Sequence, residues 1–267
     1  MGCSPASDPP LARAEYAAIA VRAAASAQVF VDDPSRLQLD LDDVHHLERV
    51  LRLRAGEEVI VSDGKGHWAR AGWGGTGATS LVPVGHGTGP GGDGSVQFEK
   101  AATPALTVAF APTKGERPEW VVQKLTELGI DRIVPLVSER SVVRWSGARG
   151  HGTVERLRRV AREAAAQCRR VWLPELTEVV HFTDLEGLAA PGEVVLAQLS
   201  GDRPTSAQRV VAVGPEGGWS GDELAAGLPT VGFGLSVLRA ETAAVTAGAL
   251  MVSLRTGTVA PVGASPA

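Results

Sequence analysis

Two short segments of the chain set polar groups in glycine-rich surroundings at the ends of apolar runs. The first, VGPEGGWS (213–220), carries Glu216 among Gly214, Gly217 and Gly218. The second, GLSVLRAETAA (234–244), places Arg239, Glu241 and Thr242 within four residues, ahead of a run with helical character. A carboxylate can accept a proton, and an arginine, which stays charged, can stabilise negative charge developing on a reacting ring. Glycines leave backbone donors and acceptors free to close on a flat ligand, and Leu235, Val237 and Leu238 can line its faces. Taken singly, VGPEGGWS is a tight turn more often than a ligand site, and the 239–242 cluster reads as a helix start with Thr242 at the cap. Two such loops together, with Lys114, Glu116, Lys124, Glu127 and SERSVV (138–143), point instead to a pocket.

The elements that must position these loops are strands. Apolar runs at 194–199, 210–213 and 231–233 read as short buried strands, and 105–112 and IDRIVPLV (130–137) as two more. A helix is expected over 119–128, with Gly129 as its C-cap, and another over 154–170, with Val154, Leu157, Ala161 and Ala164 on one stripe. Ser220 starts a helix with Asp222 and Glu223 in its first turn, and 243–254 forms the last. Strands alternating with helices predict a mostly parallel sheet covered on both sides, with ligand loops at its carboxyl ends. Upstream, the pattern is of strands. QVFVD opens one at Gln28, Leu37, Leu39 and Leu41 alternate with polar residues, and Asp42 and Asp43 can cap a short helix. RAGEEVIVSDGKGHWARAGW gives two strands around a DGKG turn, and a further strand is expected near 78–82. The expected division is an N-terminal extension (1–27), a small β-barrel-like domain (28–103), an α/β domain (104–256) and a flexible tail (257–267). The glycine-rich run 85–95 reads as a loop.

Composition narrows the function classes. With 44% hydrophobic and 21% charged residues the chain is globular, and no run approaches the roughly 20 apolar residues of a membrane helix. Two cysteines, Cys3 and Cys168, make neither a disulfide framework nor a metal cluster, which fits a cytoplasmic protein without a metal. The absence of a Walker lysine–serine pair argues against a nucleotide hydrolase. The net charge of −4 hides a contrast: residues 132–170 hold ten arginines against three glutamates. A local basic surface on an acidic protein suits an anionic partner such as RNA. Arg158 and Arg162, stacked four residues apart, repel unless acidic neighbours or such a partner stand beside them.

Five segments, in order, carry a resemblance. HHLERVLRLRAGEEV (45–59), KLTELGIDRIVPLVSERS (124–141), REAAAQCRRVWLPEL (162–176), VGPEGGWSGDE (213–223) and GLSVLRAETA (234–243) resemble the bacterial small-subunit rRNA uridine N3-methyltransferases of the SPOUT superfamily. The likeness spans about 28–256. Cys168 and Arg169 stand where many relatives carry Ser-Gly, and AQLSGDRP (197–204) matches no sharp pattern. The resemblance implies a PUA-like RNA-binding barrel followed by a methyltransferase domain whose C-terminal segment is threaded through a loop as a trefoil knot, a rare exception to the rule against knots. It further implies a homodimer that binds S-adenosyl-L-methionine and methylates N3 of a uridine in 16S rRNA, in the assembled small subunit. By position it assigns cofactor contacts to Leu196 and Leu199, to Val213, Gly214, Glu216, Gly217 and Gly218, and to Leu235, Val237 and Leu238. Arg239, Glu241 and Glu216 take the catalytic roles. Arg140, Arg144 and Arg149, then Arg49 and Arg52, and with them Arg158 and Arg162, are the expected RNA contacts, and Trp145 can stack on a base. N3 lies on the Watson–Crick edge, so the target base must be unpaired or extruded to react. A ribose 2′-O-methyltransferase of the same superfamily and a non-catalytic rRNA-binding protein are the competing readings.

Overall fold

The run EVIVS has no polar side to its alternation before Ser62, so a strand there needs apolar cover on both faces. In the computed structural model, which describes residues 13–77, 81–84, 90–145 and 147–259, that cover comes from two distant parts of the chain. One compact unit comprises the chain up to Ala101 together with Ala165–Trp172; a second comprises Ala102–Ala164 and Leu173 onward.

In the first unit, helix α1 (Arg13–Ala24) leads into strand β1 (Ala27–Phe30). Helix α2 (Leu41–His45) runs on into a π turn (His46–Val50), and strands β2 (Glu58–Ser62), β3 (His67–Gly72), β4 (Val82–Pro83) and β5 (Gln97–Phe98) follow. β1 lies parallel to β2, and β3 pairs antiparallel with β2, β4 and β5. The described pairing is thus an open strand region, and no pairing among the described residues closes it into a barrel. Val59 and Val61 point into a cluster with Val29, Leu47, Ala69 and Ala71, while Ile60 points the other way, to Trp68, Ala25 and Val171.

Residues 13–24, part of the expected N-terminal extension, close that second face. Ala18 and Val21 pack on the Ile60 cluster, and the small side chains of an alanine-rich helix permit the close approach. Arg22 is buried with them: its guanidinium lies 5.1 Å over the Trp68 ring, ion-pairs with Glu99 at 2.6 Å and donates to the Arg169 carbonyl. Residues 1–12 of the expected extension, with 78–80 of an expected strand, 85–89 of the glycine-rich loop and 260–267 of the tail, lie outside the described residues. The alternation at Leu37, Leu39 and Leu41 does not make a strand. Asp40, rather than Asp42 or Asp43, is the N-cap of α2 and accepts from the Asp43 amide at 2.6 Å, which turns Leu41 into an exposed first helical residue.

The second unit runs β6 (Thr107–Phe110), α3 (Arg117–Leu128), β7 (Arg132–Val137), α4 (Gly147–Gln167), β8 (Glu175–Leu176), β9 (Val180–His181), a 3-10 segment (Phe182–Leu188), β10 (Val194–Asp202), β11 (Val210–Val213), α5 (Gly221–Ala225), β12 (Thr230–Val231) and α6 (Ala240–Arg255). Every strand pairing is parallel, in the order β12-β10-β11-β6-β7-β8, with β9 beside the far end of β7. One face packs Val108, Ile133, Val195 and Val211 against residues of α3, α4 and α6; the other packs Val134, Leu196 and Ala212 against Leu185 and Trp219. This is the two-sided α/β sheet the sequence predicts. Gly129 ends α3 in the left-handed conformation (φ 95°). Gly248 lets α6 approach α3 so closely that a Cβ would lie 2.6 Å from Leu125 Cδ2. The predicted stripe of α4 is buried along its length.

Strand order reverses between β6 and β11, where the chain leaves β6 for β7 on one side while β11 and β10 build the other, so crevices open at the carboxyl ends. Beyond its pairing with β11, β10 continues to Asp202 and crosses the end of β12 at backbone contact. A Cβ on Gly201 would meet the Val231 main chain at 2.5 Å, and the Gly232 amide donates to the Asp202 carbonyl at 2.8 Å.

Candidate functional site

Three chain segments, one within a strand and two that follow strands, converge within the second unit. From β10 come Ala197–Leu199; after β11 the chain turns through Gly214–Gly218; after β12 it passes through Phe233–Leu238 before Arg239 opens α6. Between them lies a cavity of about 380 Å³. The turn of the second segment closes with the Gly218 amide donating to the Pro215 carbonyl at 2.8 Å, and Gly218 adopts φ 68°. Trp219 then folds under the loop, its Nε1 donating to the Ala197 carbonyl at 3.0 Å, and its ring lies where a Cβ on residue 214 would be 3.1 Å away. A side chain at 214 would therefore press on the Trp219 ring.

Downstream, Ser220 and Glu223 form a capping box at α5, and the other oxygen of Glu223 accepts from the Glu139 amide at 2.9 Å. That bond ties the SERS segment to the loop. A second tie is Arg140, whose Nη1 donates to the Gly217 carbonyl at 3.0 Å. Arg140, one of the expected RNA contacts, is exposed and through this bond also holds the loop that edges the cavity.

Of the expected cofactor contacts, Leu199, Val213, Gly214, Glu216, Gly218, Val237 and Leu238 line the cavity. Leu196 does not: strand parity turns it into the core under Trp219, where it is fully buried. Gly217 stands off the wall with its carbonyl bound by Arg140, and Leu235 is fully exposed at the outside of its bend. The structure adds Gln198, Pro215, Trp219, Phe233 and Ser236. They fall in or beside segments whose strands were legible, but which side of each turning loop faces inward carries no sequence period.

Arg239 and Glu216 both line the cavity, and Glu241 is not among its lining residues. It lies in the first turn of α6, largely buried, and its Oε1 is 3.6 Å from Nε of Arg117, a residue that sequence reasoning passed over. Arg117 opens α3, and its Nη1 lies 3.8 Å from Oε1 of Glu216. One guanidinium thus stands between the two candidate carboxylates. The second oxygen of Glu241 is buried with no hydrogen-bond partner. Thr242 sits inside the helix rather than at its cap, which is Arg239.

The remaining arginines divide by environment. Arg158 donates to the Leu176 carbonyl and pairs with Glu155 and Glu178. Partial burial would lower its pKa, but the bonds to those two glutamates outweigh it and hold the side chain more firmly protonated than usual. It is the arginine with acidic neighbours. Arg144 donates to the Glu139 carbonyl at 2.9 Å and remains exposed, as does Arg162. Arg149 is in the first turn of α4, where its side chain lies outside the described residues. In the first unit Arg49 and Arg52 are exposed, Arg49 with Glu48 at 3.6 Å. Trp145 packs against the sheet-helix core. No group of three or more potential metal ligands occurs among the described residues, and no helix among them is long and apolar enough to cross a membrane.

Residues 100–252 match the profile of the RNA methyltransferase domain family, and residues 39–71 that of the RNA methyltransferase PUA domain. The ribosomal RNA small subunit methyltransferase E of Synechocystis sp. is 34% identical over 218 residues, covering 75% of this chain and 67% of its own. That of Mycobacterium tuberculosis is 33% identical over 235 residues, covering 78% and 83%. The chain belongs to the ribosomal RNA small subunit methyltransferase E family. A solved member of the family, the Neisseria gonorrhoeae protein bound to S-adenosyl methionine, superposes with a TM-score of 0.70 over 85% of this chain and 97% of its own, a likeness of fold at 23% identity. In this family member, then, the cavity at the ends of β10, β11 and β12 and the carboxylates around Arg117 are the features that chemistry can use.

Proposed function

We propose that this protein transfers a methyl group from S-adenosylmethionine to N3 of a uridine in 16S rRNA. The observation that carries the reading is the cavity at the carboxyl ends of β10–β12, where Arg239 and Glu216 border an apolar, glycine-edged pocket in a chain of this family. Relatives named as ribosomal RNA small subunit methyltransferases support the substrate, and the Neisseria gonorrhoeae protein bound to S-adenosyl methionine supports the cofactor.

The residues present fit that cofactor. The cavity volume falls in the range of small-molecule sites, and Leu199, Val213, Val237 and Leu238 give apolar walls for a purine. The backbone of 214–218, free of bulky side chains, offers donors and acceptors to its edges. When bound, the cofactor supplies a methyl group already activated on a sulfonium cation. The protein's work is at the uracil, whose N3 holds its proton well above neutral pH. Arg239, beside O2 or O4, stabilises the negative charge that develops on the ring. Glu216, whose side chain borders the cavity, accepts the N3 proton directly or through one water. Holding the base in line supplies much of the remaining barrier reduction.

The reacting edge is a pairing edge, so the base enters extruded while the protein grips the surrounding RNA by shape and phosphate. Phosphate contacts fall to arginines: Arg49 and Arg52 in a PUA-like domain of residues 28–103, and Arg140, Arg144, Arg149 and Arg162 in a methyltransferase domain of residues 104–256. We further propose a cytoplasmic homodimer and a trefoil knot in the C-terminal half. The glycine-on-glycine crossing at Gly201 and Gly232 supports the threading, since only bare backbones pass so closely.

Labelled S-adenosylmethionine offered with unmodified small subunits, free 16S rRNA and tRNA, followed by nucleoside mass spectrometry, tests the reaction. The expected product is 3-methyluridine, chiefly on the assembled subunit. Label on ribose or on tRNA refutes the assignment in favour of the sibling activity, and cofactor binding without label refutes it in favour of an RNA-binding role.

A further inference from the structure

Among the described residues, the Arg117 guanidinium is set between two of the candidate carboxylates, Glu216 and Glu241. Arg117 lies 3.6 Å from Glu241 through Nε and 3.8 Å from Glu216 through Nη1. The three residues come from three elements: the start of α3, the loop after β11 and the first turn of α6. Their environments differ. The Glu241 side chain is 13% exposed and the Glu216 side chain 46%. The other charges of α3 are engaged elsewhere, Glu119 with Arg156 and Lys124 with Glu127, and Asp131 beyond its end pairs with Arg255. Neither Glu216 nor Glu241 is matched to another basic side chain among the ion pairs of the described residues.

We infer that Arg117 is a positioning residue for Glu216, and that Glu241 is its buried anchor rather than the proton acceptor. The inference rests on the reading of Glu216 as the group that takes the N3 proton. A carboxylate on a glycine-rich turn has many rotamers, and a fixed cation on a neighbouring helix narrows them. A planar fork can touch both acids at once through different nitrogens, which a point charge on a flexible stem does less well. Glu241 fixes the fork from the buried side, and the fork fixes Glu216 at the cavity. The charge arithmetic agrees: two carboxylates beside one site repel, and the guanidinium between them removes that repulsion.

The test is a double-mutant cycle on the full-length protein with small subunits as substrate, reading kcat, KM for RNA and Kd for S-adenosylmethionine separately. Because the Arg117–Glu216 pair is half exposed, Arg117→Ala is expected to lower kcat about fivefold, in line with the ~1 kcal/mol ceiling of such pairs, and to leave cofactor Kd within twofold. Arg117→Lys restores part of the loss. In a Glu216→Gln background, Arg117→Ala changes kcat less than twofold, because the group it positions is gone. An equal loss in both backgrounds, or a loss confined to Kd and melting temperature, overturns the positioning role. Full turnover by Glu216→Gln itself overturns the proton-acceptor reading instead, so the two failures are told apart. Glu241→Gln is expected to copy Arg117→Ala in kcat; a loss of several hundredfold would return Glu241 to the chemistry and overturn the anchor.

Discussion

Replacing Gly201 with alanine tests whether the crossing of β10 and β12 is a contact of bare backbones. The added Cβ would stand 2.5 Å from both the main-chain N and C of Val231, where ordinary contacts begin near 3.4 Å. The neighbours are main chain rather than the flexible end of a side chain, so the two segments must part by about 0.9 Å. Overpacking of this sort costs about 1–3 kcal/mol, and losing the Gly232–Asp202 hydrogen bond adds about 1. At roughly 2–4 °C per kcal/mol for a unit of this size, the melting temperature should fall by about 4–16 °C. Gln198, Leu199, Val231 and Phe233 flank the crossing and line the cavity, so affinity for S-adenosylmethionine should fall with it. Calorimetry reads the first and titration the second. Gly152→Ala in α4 is the control: its Cβ meets nothing within 4 Å, and a glycine in a helix interior costs up to about 1 kcal/mol, so it should stabilise. A Gly201→Ala protein that melts within 1 °C of the parent and binds the cofactor equally would refute the reasoning.

Ile60→Ala should cost about 2–4 kcal/mol in chemical denaturation, because its side of β2 is sealed by α1 and Val171; a cost below 1 would mean that face is open. Arg140→Ala should weaken S-adenosylmethionine binding about fivefold by calorimetric titration, through the freed Gly217 carbonyl; an unchanged cofactor affinity would count against the loop-holding role. Burial would raise the Asp63 pKa, but the Lys65 amide and the side chain and amide of His67 more than offset it and hold the carboxyl below its ordinary value. A depressed folded-state value gives stability that is present above the unfolded value and lost as pH falls through the folded one. Asp63→Asn should therefore flatten the fall in stability below about pH 4, and an unchanged slope there in acid titration would count against the turn.

What the sequence made legible is what local pattern encodes. The parallel core strands follow from apolar runs, the end of α3 from Gly129, and the start of α5 from the Ser220–Glu223 spacing. The two glycine loops could be paired as walls of one site because each ends a strand of the same sheet. What stayed hidden depends on parity and on distance. Leu196 and Ala197 adjoin in sequence yet face opposite sides of the sheet, so a segment-level assignment included a core residue. Leu37, Leu39 and Leu41 mimic a strand because Asp40 redirects the chain, and a single capping hydrogen bond leaves no period to read. Arg117 carries no local mark at all. Its two partners lie 99 and 124 residues further along the chain, and only the fold joins them.

The cover over Ile60 and Trp68 has a consequence for synthesis. The strands β1 to β5 have all left the ribosome's active centre by the time Ala101 is made, but Val171, which helps to seal their second face, is translated roughly seventy residues later. At about 5–20 residues per second this leaves an interval of about 4–14 s in which the nascent sheet has only α1 to shield that face. An order of events follows: the N-terminal sheet is finished from the middle of the gene, and a fragment that stops at residue 103 ends its life in the state through which the full chain only passes.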